Sequence, residues 1–235
     1  MNKKIEIIPR TKLAESFINI APSSDFIPNW YRLSNPIVNN EKTFLFKNNP
    51  NVTTSTYKKC TPFYDALTIG YTMFLSSDIE VINQNGNPHI LWRTQDNLIT
   101  MHDKEQWEGL PVPDGYIPFI YKWNNNLTLK LPKDYSLLFL NPINRFDLPF
   151  QTITGVVDCD SYGLPVHFPF FIKKGFYGII EKGTPITQII PIKRDNWSRE
   201  IKKYDEEDFL IVQKKYFSKI KRSYKNNHWF KKEYK

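Results

Sequence analysis

The chain has 235 residues, 40% of them hydrophobic, including 17 Phe, 13 Tyr and 6 Trp; that apolar and aromatic load excludes a disordered chain. Its formal net charge is +8, but nine of its 32 basic residues follow Gln213 against one acid, Glu233, so the body carries 23 charges of each sign and is neutral. A body-wide basic field for steering nucleic acid is thereby excluded, and the longest apolar runs, such as SLLFL, are too short to cross a bilayer.

The amino terminus, MNKKIEIIPRTK, holds lysines but no continuous apolar stretch of signal-peptide length, so a soluble, cytoplasmic protein is expected, in the host cell if a phage encodes it. Residues 1–60 read as an irregular extension packed on the core. APSSDFIPNWYRLSNP within it predicts one short helix around Trp30, and NPIVNNEK and FKNNPN are Asn-rich. TPFYDALTIGYTMFLSSDIEVI opens with a turn-like or short helical piece and continues as two strands bent at SSD, with PHILWRTQ as a third. From 96 to 135, PVPDG and NNN separate further short strands. SLLFLNPINRF, FQTITGVVD, PVHFPFFI, YGIIEKG and PITQIIPIK follow at intervals of about ten residues, the spacing of a sandwich or barrel. Cys60 and Cys159 are expected to be free thiols, one possible pair being weak reason for a disulfide.

Residues 61–198 thus predict an all-β domain, and residues 199–235 a basic helix and tail. YDEEDFLIVQKKYFSKIKRSY runs from acids to bases, the polarity a helix dipole favours. Phe209, Val212, Tyr216 and Ile220 share one helical face, which predicts docking on the body with a solvated lysine face; binding of a polyanion such as nucleic acid is the alternative. NNHWFKKEYK mixes cations with Trp229, Phe230 and Tyr234, suiting stacking on bases or strapping onto a neighbouring subunit.

Gly155-Val156-Val157-Asp158-Cys159-Asp160-Ser161-Tyr162-Gly163 resembles the GVIDxDYxG motif of trimeric dUTPases, relatives of the dCTP deaminases. EKGTPITQIIPI is similar to that superfamily's GxRIAQLI strand, matching at Gly183, Ile186, Gln188 and Ile189. INRFDLP lies on PRSGLA at Arg145 and Leu148, and TIGYTMFLSSDIEV resembles the AGYDLxAxxDxxV opening strand at Gly70, Tyr71, Asp78 and Val81. The resemblance covers roughly residues 66–193. Thr72 stands where the family has an acid, Phe146 and Asp147 replace a Ser-Gly pair, Tyr162 is displaced one place, and a basic helix replaces the glycine-rich arm.

The resemblance implies a distorted β-barrel or jelly-roll subunit, often trimeric, with nucleotide sites at subunit boundaries. It implies Asp158 as the base that activates water in a pyrophosphohydrolase, with Mg²⁺ held by Asp158 and Asp160. It further implies nucleotide contacts from Arg145, Asp147, Asp160, Tyr162, Tyr71 and Gln188. Read from the residues alone, the two aspartates suit an Asx-capped hairpin, and Arg145 either binds phosphate or pairs with Asp147 or Asp134. The tyrosines suit a core, and Gln188 suits a structural hydrogen bond at a strand end. His89, His102 and His167 with Asp103 and Glu105 form a metal set only if three converge. No P-loop, nucleophile elbow or Rossmann fingerprint is present. A deaminase activity and a non-catalytic, phage-type oligomeric assembly protein with a basic partner-binding tail are the functional alternatives.

Overall fold

A computed structural model describes residues 3–38, 55–217 and 223–235 of the protein. The chain divides into two compact units, one comprising Met1–Pro28, Leu67–Arg194 and Tyr234–Lys235, the other Asn29–Ala66 and Asp195–Glu233. With 32% strand and 21% helix the protein is mainly β, as expected. Among the described residues no helix is long and apolar enough to cross a membrane.

The first unit holds β1 (Glu6–Pro9), α1 (Lys12–Ser16), β2 (Ile20–Pro22), β3 (Tyr71–Phe74), β4 (Ile79–Gln84), β5 (Asn87–Trp92), β6 (Ile99–Met101), β7 (Tyr121–Trp123) and β8 (Leu127–Lys130). It continues with β9 (Tyr135–Leu140), β10 (Phe150–Thr152), β11 (Gly155–Val157), β12 (Phe168–Ile172), β13 (Gly178–Ile180) and β14 (Pro185–Lys193). Strands β1 and β2 lie in the segment that reads as irregular from sequence; both end at a proline, Pro9 and Pro22, where a missing N–H is tolerated.

All ladders are antiparallel and form four sheets, with orders β11-β9-β14-β3-β2, β10-β12-β7-β6, β13-β4-β5 and β1-β8. Among the described residues none of them closes on itself into a barrel. Period-two patterning is plain in β4, where Ile79 and Val81 are buried and Glu80 is exposed. The SSD bend separates β3 from β4 as expected, and Asn85 and Gly86, both at positive φ, make the two-residue turn into β5.

The five- and four-stranded sheets share one core. Phe139 of β9 meets Phe168 of β12 at 5.0 Å between ring centroids, and Trp123 of β7 stacks on Phe170 of β12 at 3.6 Å. Each such buried side chain contributes about 1.5–3 kcal/mol. Thr152 of β10 accepts from the Trp123 indole and donates to the Ile186 carbonyl of β14, satisfying the polar atoms that a dry core would otherwise strand.

The second unit contains α2 (Asn29–Leu33), the start of α3 (Thr61–Thr68), α4 (Glu206–Phe217) and α5 (Ser223–Asn227). The helix expected around Trp30 is α2, and the short helical piece expected at TPFYDAL is α3. Its interior is aromatic: Tyr31 stacks on Phe63 at 5.9 Å, and Trp30 and Tyr57 pack round the same ring. Of the face expected to share Phe209, Val212, Tyr216 and Ile220, the first two are 48% and 41% exposed. Phe209-Leu210-Ile211-Val212 is a continuous run, and at ~100° per residue it winds round the helix instead of lining one face. The Tyr216 side chain, Ile220 and the FKNNPN patch lie outside the description.

Candidate functional site

The best-matched motif forms a corner at the end of β11. The Asp158 carbonyl accepts from the N–H groups of Ser161 and Tyr162 at 3.1 and 2.9 Å, which turns the chain back. Buried Cys159 between the aspartates ties that corner to the interior, its carbonyl accepting from Leu131 N at 3.2 Å. Burial, with Asp158 and Asp160 beside it, pushes this thiol up to about 11, so it is no nucleophile at neutral pH.

The two carboxylates are held by Arg194, the residue just after β14. Its guanidinium grips Asp160 in a bidentate fork, Nη1 donating to Oδ1 at 2.9 Å and Nη2 to Oδ2, and it stands 3.3 Å from Asp158. Asp160 also accepts from the N–H of Asp134, at 2.9 Å, where the backbone sits at φ 72°. The Arg194 hydrogen bonds, helped by the Asp134 N–H against partial burial, lower the Asp160 carboxyl to about 2; Asp160 in turn raises Arg194. Asp160 therefore has no proton to give at neutral pH. Asp158 accepts from Ser136 Oγ at 2.6 Å and is 61% exposed. With a guanidinium already seated between them, these two carboxylates do not fit Mg²⁺ as arranged within one chain, and no group of three potential ligands occurs among the described residues.

The other matched residues cluster at the opposite end of the sheet. Register places Asp158 beside the start of β9, since Val157 pairs with Leu137, whereas Leu140 at its far end pairs with Gln188. Arg145 follows that far end and reaches the Phe26 carbonyl, with the Phe26 ring against Phe74, the partner of Pro185. Ser136 and Leu140 alone are about 13 Å apart along the strand, so one chain does not bring Arg145 to Asp158.

Of the two choices open to Arg145, it takes Asp147, through Nε at 2.9 Å and Nη2 at 2.8 Å. Gln188 is buried and structural, accepting from Ile143 N at 2.9 Å and donating to the Ile69 carbonyl at 2.7 Å. Thr72 is buried against Ser23 Oγ at 2.9 Å beneath β2, a place where a carboxylate would be desolvated. Tyr71 packs edge-on to Tyr234 and donates to the Lys235 carbonyl, while Tyr162 and Phe146 are exposed.

The histidines stay apart. His89 lies on β5; His102 Nδ1 pairs with Gln106 Oε1 at 2.9 Å; His167 Nδ1 accepts from Asn125 N at 3.0 Å. Burial and nearby Lys122 lower His167. Trp107 and His102 border a cavity of about 780 Å³ that Asp103, Glu105 and Glu108 also line, but His102 Nε2 and Trp107 Nε1 are themselves covered, without a partner among the described residues.

A second cavity, of about 660 Å³, lies wholly in the second unit. Lys59, Tyr64, Tyr224 and Trp229 are among its lining. Reading the sequence from end to end misses it, because the segments that build it are more than 150 residues apart; the available signal is the pairing of aromatics with lysines in both KKCTPFY and SYKNNHW. No protein-family model matches the chain, and no curated protein matches it at a significant level.

Proposed function

We propose that the protein is a non-catalytic, self-associating assembly protein built on a dUTPase-like scaffold. The observation that carries this reading is a run of bare apolar side chains after the β unit: Trp197 is 91% exposed, Ile201 86% and Tyr204 77%, and the run continues into Phe209, Leu210 and Ile211. Exposed apolar surface on this scale marks an interaction site. A second copy of the chain is the occupant we assign. Helix α4 begins Glu206-Glu207-Asp208 and carries Lys214 and Lys215 in its last turn, so two antiparallel copies set acids against lysines.

The scaffold reading is supported by the pairing of β3 with β14, the strands that carry the opening and closing motifs, and by Asp78 accepting from Lys182 N at 2.6 Å between them. Absence of catalysis is supported by Arg194 on Asp160 and Asp147 on Arg145. A pyrophosphohydrolase is the second reading, favoured by the open, Ser136-bound carboxylate of Asp158; it requires a further copy to supply Arg145.

Sedimentation at micromolar concentration should show a homo-oligomer that Trp197→Ser with Ile201→Ser dissociates. A parent monomer overturns the assembly reading. Pyrophosphate release or deamination from deoxynucleoside triphosphates with Mg²⁺, abolished by Asp158→Ala, overturns the non-catalytic one.

A further inference from the structure

The cavity in the second unit is lined by cations and rings, and none of its lining residues is acidic. Three lysines contribute. Lys58 is largely committed to the fold: its ammonium caps α2 by donating to the carbonyls of Tyr31 and of Arg32, the latter at 2.9 Å. Lys59 and Lys225 carry no side-chain hydrogen bond or ion pair among the described residues, and the Lys225 ammonium stands 5.9 Å from the Trp229 ring centroid. The amino end of α3, at Thr61 and Pro62, adds the positive end of its backbone dipole to the same wall.

A carboxylate beside the cavity is already paired with a cation. Asp65 accepts from the Trp229 indole N–H at 2.9 Å and from the Lys232 ammonium, which fixes the plane of the indole. Tyr31 is buried against Phe63 and forms the floor, with the Tyr64 ring tilted against it at 6.3 Å between centroids, whereas Tyr224 is exposed. Unspent positive charge beside stackable rings selects a ligand that is both anionic and flat. The volume lies within the range of about 300–1,000 Å³ for small-molecule sites.

We propose that this cavity binds a phosphorylated nucleobase, either as a free nucleotide or as one unit of a single strand. The base stacks on Tyr224 and Trp229, and the phosphate sits on Lys59 and Lys225. The site is independent of the self-association above and of Asp158.

Calorimetric titration of the full chain with adenosine monophosphate, adenosine, inorganic phosphate and oligothymidylate tests it. Adenosine monophosphate or oligothymidylate should bind at least about tenfold tighter than adenosine or phosphate alone. Lys59→Ala with Lys225→Ala should weaken that binding roughly tenfold, as should Tyr224→Ala, while Tyr224→Phe and Asp158→Ala leave it unchanged. A preference for the mononucleotide assigns a free nucleotide, and a preference for the oligomer assigns a strand. No binding at millimolar concentration, equal affinity for adenosine and its monophosphate, or binding that survives both the lysine and the Tyr224→Ala changes overturns the proposal.

Discussion

At the sheet end of the first unit, Arg194 is forked onto Asp160; in the cavity of the second, Lys59 and Lys225 face rings with no acid among them. Both places hold cations in the fold, but only one has charge left to offer a ligand. A guanidinium that already satisfies two carboxylates must be stripped from them before it can bind anything else, whereas an unpaired ammonium loses only water. Asp160 and Arg145 are spent in the same way, on Arg194 and on Asp147.

The most drastic way to break this contrast is to remove the scaffold beneath the first member. Gly70 sits at φ 76°, and a Cβ there would lie 2.1 Å from the Ile189 carbonyl oxygen of β14. Gly70→Ala is therefore expected to cost more than about 4 kcal/mol, read as insolubility or a collapsed melting transition. A variant within ~1 kcal/mol of the parent would show that β3 and β14 do not cross so closely.

Acid sharpens the contrast next. Asp160 ionises near 3.8 when unfolded and at about 2 when held by Arg194, so the unfolded chain takes up its proton first. The stabilisation is whole above the unfolded value and is lost as pH falls through about 2. Denaturation across that window should show a steeper acid limb for the parent than for Arg194→Ala, which is also less stable at neutral pH. Identical limbs would mean that the ion pair contributes nothing. The smallest effect belongs to the other member: Lys59→Ala and Lys225→Ala should each change stability by less than about 0.5 kcal/mol in chemical denaturation. A larger loss would reveal that these ammoniums are already employed by the fold.

Much of this was legible from residue pattern. Ile79 and Val81 around exposed Glu80, the SSD bend and the turn chemistry at 158–163 announce strands and a corner, because alternation and turn formers act locally. What pattern does not carry is choice of partner. Arg145 had Asp147 and Asp134 within reach in sequence, and only the fold, which sets Asp134 beneath Asp160, decides for Asp147. Arg194 gave no signal because it lies 34 residues from the carboxylate it holds, joined to it only through the β9–β14 ladder.

The unequal surroundings of the two cysteines leave the protein with a built-in reporter. Cys159 is sealed beneath the corner with its ionisation pushed up to about 11, while Cys60 is exposed on the wall of the aromatic cavity. A thiol-directed fluorophore or spin label added to the folded, unmodified chain will mark that one wall, so occupancy of the cavity can be followed optically or magnetically without engineering a single residue.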